Sequence, residues 1–271
     1  MTNYTKNFMM HHGLEMSFDS RVSSSPTASA PTLPPSSPLS SVSPDDDSKD
    51  ELVGVQPSEV KFLETLSKKR SEKNGNNLVI TFKVEIRGKT CVMKVFKDGE
   101  YLPDYFEIEA SAYRLLKEKG FCKRGLVPNF YGTIEYINVD LWPDLYDFQH
   151  HKWPPSAILV EYIPNAQMIS LDNFSQDNID RLSAYLAEFH EAGLCHGDPY
   201  PRNMMVVQGT PEDRVFWLDF DNSSRVEDRK TCNKRQEWAF QAETRAMAAF
   251  AKVLAMDAKS GKLEEAWYHY H

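Results

Sequence analysis

The chain has 271 residues, a formal net charge of −8, 41% hydrophobic and 26% charged residues. That is enough for one or two domains with a sizeable core, and the acidic balance argues against broad nucleic-acid binding, which needs a basic face. The four cysteines, Cys91, Cys122, Cys195 and Cys232, form no CxxC pair and no zinc-like spacing, so free thiols in a reducing compartment are expected. No apolar run reaches signal-peptide or membrane-span length. The sequence therefore predicts an intracellular protein, cytoplasmic or nuclear, with neither nucleic acid nor membrane as a partner.

Residues 1–57 are Ser/Pro-rich and end near an acidic cluster, DDDSKDE. Such a composition buries too little apolar surface to offset ordering entropy, so a disordered tail is expected. Ser-Pro pairs at Ser25, Ser37 and Ser43 and PxxP spacings at Pro31/Pro34 and Pro35/Pro38 suit phospho-reader or SH3-type partners, although a merely solvated tail has the same composition. Order is expected from about Val60. VKFLETLSKKR reads as a short helix or a strand lead-in. LVITFKVEI and KTCVMKVFK alternate apolar and polar residues, as two antiparallel strands joined at Arg87-Gly88-Lys89.

LPDYFEIEASAYRLLKEKG reads as a helix, capped by Asp104 and stopped by Gly120, with Phe106, Glu109, Tyr113 and Leu116 on one face. VPNFYGTIEYIN and AILVEYIP read as strands, the second buried; the Trp/Pro-rich connection between them has no evident period. DNIDRLSAYLAEFHEAG is an amphipathic helix with Asp177 as its expected cap, an apolar face of Ile179, Leu182, Leu186 and Phe189, and a stop at Gly193. The loop HGDPYPRN follows. NMMVV and RVFWLDF are two short strands around the turn QGTPED, RQEWAFQAETRAMAAFAKVLAMD is a long helix, and GKLEEAWYHYH a short one. The order implies a small sheet-based lobe (58–165, including a hinge) and a shortened, mostly helical lobe (166–271), with a cleft between them.

Chemistry concentrates at a few polar residues. Asp198 and Asn203 stand five apart in HGDPYPRN, and Asp219 and Asp221 close VFWLDFD. Carboxylate and amide oxygens on neighbouring loops suit a hard divalent cation, and an acid placed among them suits accepting a hydroxyl proton; the same residues also suit plain turns. Lys94, inside CVMKVF, is either an edge lysine that blunts pairing or a cation held for an anion. Glu109 projects from an apolar helix face, where an unpaired carboxylate is costly, and Lys94 is the obvious partner; Glu107 is the rival if the helix phase differs. His196 and His190 read as structural histidines.

These residues resemble the protein-kinase-like superfamily. VMKVF resembles its lysine strand, EASAYRLL its glutamate helix, HGDPYPRN its loop HxDxxxxN and LDFD its metal-binding Asp-Phe-Gly. The form HGD…DFD is most similar to fungal kinase-like proteins of the aminoglycoside phosphotransferase/choline kinase type. The resemblance implies an α+β, bilobal kinase-like fold, with an antiparallel-sheet N-lobe carrying one helix. It implies ATP and Mg2+ as cofactors, with Lys94 on the nucleotide phosphates, Glu109 pairing Lys94, and backbone groups of the hinge at Glu161 and Ile163 on the adenine. Asp198 would be the base, and Asn203 and Asp219 the metal ligands. The implied activity is transfer of the γ-phosphate to a hydroxyl of a small molecule or a protein; the alternative is a weak or inactive pseudokinase acting as a binding scaffold. Departures from the pattern are plain. The phosphate-covering turn is only KNGNN (73–77), Gly197 replaces an arginine, Tyr200 a lysine and Asp221 a glycine. About fifty residues follow Asp221, with no APE motif.

Overall fold

Three strands begin a five-stranded antiparallel sheet: β1 (Val60–Arg70), β2 (Asn77–Ile86) and β3 (Lys89–Phe96). The structure, a computed structural model, describes residues 51–70, 77–97, 104–209 and 212–270. The Ser/Pro motifs of the tail, and the phosphate-covering turn up to Asn76, lie outside the described residues. VKFLETLSKKR is a full strand rather than a lead-in. Arg87 and Gly88 form the β2–β3 turn with φ of 51° and 78°, the left-handed pair that a two-residue hairpin turn requires.

The other members of this sheet are β4 (Phe130–Ile134) and β5 (Ser156–Glu161), in the order β1-β2-β3-β5-β4. Between β3 and β4 lies α1 (Tyr105–Glu118), whose cap is Asp104, accepting from the Glu107 N–H at 2.9 Å. The Trp/Pro-rich connection is two short 3-10 turns, Val139–Leu141 and Pro143–Phe148. They bury Trp142, Leu145 and Phe148 against one face of the sheet. The spacing of three matches the 3.0-residue turn.

Strand alternation sorts the sheet into two faces. Ile80, Phe82 and Val84 of β2, Cys91, Met93 and Val95 of β3, and Ala157 and Leu159 of β5 pack under the 3-10 segment. Val79, Val92, Phe96, Ile158 and Val160 face α1 and the second lobe. Lys94 shares the parity of Val92 and Phe96, so the alternation alone turns it toward the cleft. Residues 51–57 are not part of a disordered tail: Leu52 and Val55 are buried, and the Leu52 N–H donates to the Tyr131 carbonyl at 2.7 Å. Two apolar side chains with a sheet surface to cover place the boundary earlier than composition implies.

The second lobe holds β6 (Gln167–Met168), α2 (Gln176–Glu191), β7 (Leu194–Cys195), β8 (Met204–Val207), β9 (Arg214–Trp217), β10 (Ser224–Arg225) and α3 (Lys234–Ser260). The cap of α2 is Ser175, accepting from the Asn178 N–H, rather than Asp177. Its apolar face, Ile179, Leu182, Leu186 and Phe189, is buried as expected. The C-terminal segment is a 3-10 turn at Trp267–His269. No helix among the described residues is long and apolar enough to cross a membrane.

Candidate functional site

Two loops carry the polar residues, and strand pairing holds them side by side. Residues 196–203 run from β7 to β8, and residues 218–223 from β9 to β10. β7 pairs with β10 (Cys195 opposite Ser224) and β8 with β9 (Met204 opposite Trp217), so both loops are anchored at both ends. Cross-bonds complete the pairing: the Leu218 N–H donates to the Asn203 carbonyl at 2.9 Å, and His196 Nε2 lies 3.0 Å from the Leu218 carbonyl. Phe220 is fully buried against Tyr113 of α1, Phe189 of α2 and the His196 ring. One side chain thus joins the loop to helices of both lobes.

Burial disfavours a charge on His196 and lowers its pKa, against the pull of Glu243 and other acids. Its Nε2–H then donates to Leu218, and its buried Nδ1 has no hydrogen-bond partner. This is a structural role, as the sequence suggests. The loop is oriented by a residue that the sequence reading missed. Glu243, on the buried face of α3, accepts from the backbone N–H of His196 at 3.0 Å and of Gly197 at 2.5 Å, and lies 2.8 Å from His190 Nε2. Burial pushes its carboxyl up, but these donors outweigh burial and hold it below the usual range. Gly197 has φ of 83°, and a Cβ there would overlap the Asn222 carbonyl oxygen.

At the cleft, Lys94 Nζ lies 2.5 Å from Glu109 of α1, is bonded to Asp219, and is 3.8 Å from Asp221. Glu109 is therefore the helix acid that meets Lys94, while its rival Glu107 pairs with Arg114 on the surface. Burial opposes the charge on Lys94, but the three carboxylates together raise its pKa. Glu109 does not share the benefit. Burial, then repulsion from Asp219 and Asp221, pushes it up to about 7 in spite of Lys94. Asp219 sits at φ 64°, a left-handed conformation that Asp tolerates at some cost.

Asp198 accepts from Arg202 Nη2 at 2.5 Å and Nε at 3.1 Å, and from Asn203 Nδ2 at 2.9 Å. The Asn203 amide nitrogen also donates to the Asp198 carbonyl. Its protons are spent on Asp198, so the oxygen is the end of Asn203 left for the cleft. Arg202 lies over the Tyr200 ring, its guanidinium carbon 4.7 Å from the centroid.

The cleft is about 350 Å³ and has two ends. Val79, Val92, Ile158, Val160 and Leu218 make an apolar slot, and Lys69, Lys94, Glu109, Asn203, Asp219 and Asp221 line the polar part. Of the expected residues, Lys94, Glu109, Glu161, Asn203 and Asp219 line this cleft; Asp198 stands behind Arg202 and Asn203, and Ile163 lies outside the lining. Glu161 is braced by a two-bond pair with Arg214 at 3.0 Å and by the Asn129 N–H. The carboxylate oxygens of Glu109, Asp219 and Asp221 lie within 4.8 Å of one another. An all-oxygen set of carboxylates with an amide oxygen nearby fits a hard cation such as magnesium.

Residues 156–249 match the model of the Lipopolysaccharide kinase (Kdo/WaaP) family, a family of kinase-like phosphotransferases. The matched span holds Asp198, Asn203, Asp219 and Glu243; Lys94 and Glu109 precede it. No curated protein matches the chain. The fold, with its five-stranded antiparallel sheet and second lobe, is protein-kinase-like.

Proposed function

We propose that the protein is an ATP- and Mg2+-dependent phosphotransferase of the HGD…DFD type, carrying the γ-phosphate to a hydroxyl acceptor. The observation that carries this is the convergence of Lys94, Glu109 and Asp219 from β3, α1 and the β9–β10 loop on one cleft that Asn203 also lines. The apolar slot takes the base, with backbone groups at Glu161 on its edge; Ile163, outside the lining, would have to approach to join them. Lys94, positioned by Glu109, holds phosphate oxygens. Asn203 Oδ1 and Asp219 would hold the magnesium, which when bound neutralises charge on the phosphates.

Asp198 orients the acceptor hydroxyl and takes its proton as the new O–P bond forms; the bond from the γ-phosphorus to the nucleoside diphosphate breaks, and the electron pair leaves with the diphosphate. Arg202 and Asn203 fix the Asp198 carboxylate by three hydrogen bonds, so little reorganisation is needed at the moment of reaction. The name of the matched family points to a saccharide hydroxyl among the small-molecule acceptors; a protein hydroxyl is the other class.

The same Arg202 grip favours the second reading, a non-catalytic binding module, because it occupies the base. Thermal unfolding with ATP, with and without magnesium, comes first, for wild type, Asp219→Ala and Asp198→Asn. A magnesium-dependent rise in Tm in wild type and Asp198→Asn, lost in Asp219→Ala, is expected by mass action. ATP turnover lost in Asp198→Asn, which keeps the rise in Tm, separates catalysis from binding. No rise at millimolar ATP overturns the proposal.

A further inference from the structure

Lys69 lies near the end of β1, and its ammonium is 3.0 Å from Asp221 Oδ2. Lys94 Nζ is 3.8 Å from the same oxygen. Two ammonium groups, from two strands of one sheet, thus converge on a single anionic oxygen in the polar part of the cleft. Their environments differ. Asp221 is fully buried, whereas the Lys69 side chain is about half exposed, at 48%, and rests 5.3 Å over the Tyr105 ring. Asp221 does not depend on Lys69 alone: Asn222 Nδ2 donates to its other oxygen at 2.5 Å, and Lys94 stays close. Lys69 can therefore move without stranding a bare buried charge, which is the costly event in such pairs.

Resting on the phosphotransferase reading above, we propose that Lys69 is a phosphate-binding residue, and that Asp221 is the anion that holds its ammonium in place until nucleotide arrives. The segment between β1 and β2 contains one glycine, Gly75, where glycine-rich phosphate loops carry several. A lysine on a flexible stem supplies the missing attraction as a point charge and makes no demand on geometry. Two ammonium groups that already share one carboxylate oxygen are spaced for oxygens on adjacent phosphates. Exchanging Asp221 for a phosphate keeps Lys69 paired throughout.

The test is calorimetric titration of wild type, Lys69→Ala, Lys69→Arg and Asp221→Asn with ATP–magnesium, and separately with adenosine. Lys69→Ala is expected to weaken ATP by at least about tenfold, the scale of one charge-assisted hydrogen bond, and to leave adenosine unchanged. Lys69→Arg should recover most of the loss, and Asp221→Asn, titrated with ATP free of magnesium because Asp221 also belongs to the acidic set that fits the cation, should bind as tightly as wild type or more so. Equal weakening of ATP and adenosine, or none, overturns the assignment and leaves the pair as a plain link between the lobes. In that case Lys69→Ala and Asp221→Asn lower the Tm of the nucleotide-free protein alike. Wild type that fails to bind ATP overturns the phosphotransferase reading itself, and this inference with it.

Discussion

Two buried glutamates, Glu109 and Glu243, sit on apolar faces of helices and experience opposite fates. Glu243 faces a backbone N–H pair and a histidine, all donors, and its carboxyl is held low. Glu109 shares one lysine with Asp219 and Asp221, and its carboxyl is pushed up to about 7. Burial is the largest influence on both; the neighbours decide the sign. Glu243 is a finished structural joint. The Glu109 centre carries more acid than cation, an imbalance that a divalent ion would correct.

Removing the joint should have the largest effect. Glu243→Ala strands the His196 and Gly197 N–H groups in the interior, and at about 1–3 kcal/mol per buried unsatisfied group the protein should lose about 4 kcal/mol to urea. A loss below about 1 kcal/mol would erase the distinction between the two acids. The opposite case is Glu109→Gln, which relieves like-charge crowding. It should leave the metal-free protein at least as stable as wild type at pH 8 while impairing ATP turnover through Lys94.

The two acids also predict opposite pH limbs. Glu109 is raised from its ordinary 4.5 to about 7; its contribution is fully present below about 4.5 and is lost as pH rises through about 7. Glu243 is lowered, so its contribution is present above about 4.5 and is lost as pH falls through its depressed value. Between pH 6 and 8, metal-free wild type should therefore lose about 1 kcal/mol more than Glu109→Gln, the scale of one proton's linkage; parallel urea midpoints would refute it. The smallest effect is expected at Glu161, a half-buried acid that Arg214 lowers against burial. Arg214→Ala should cost about 1 kcal/mol in unfolding free energy, as for a partly exposed two-bond pair.

Much of this was legible in the residues. Period-two alternation in CVMKVF turns Lys94 toward the cleft, and the three-to-four spacing around Glu109 puts it on the buried face; local geometry settles both. Glu243 obeys the same spacing, between Phe240 and Met247, so its face could have been read. Its partners could not, because they are backbone groups of a loop 46 and 47 residues earlier. Lys69 meets Asp221 only by tertiary approach, whereas Arg202 reaches Asp198 four residues away within one loop, a pairing that the loop's conformation and not its composition decides. Leu52 and Val55 were assigned to a tail because composition is blind to a nearby sheet face. The helix cap at Ser175 was mistaken by two residues for Asp177, since both side chains can accept from a first-turn N–H.

Gly197 has a consequence for how closely the two loops are tied. Its backbone conformation, and the Asn222 carbonyl pressed where a Cβ would lie, leave no room for a side chain. Any substitution here would require the β9–β10 loop to retreat, taking Asp219 and Asp221 with it. The absence of one methyl group thus sets the spacing between the loop that holds Asp198 and the loop that holds the acids of the cleft.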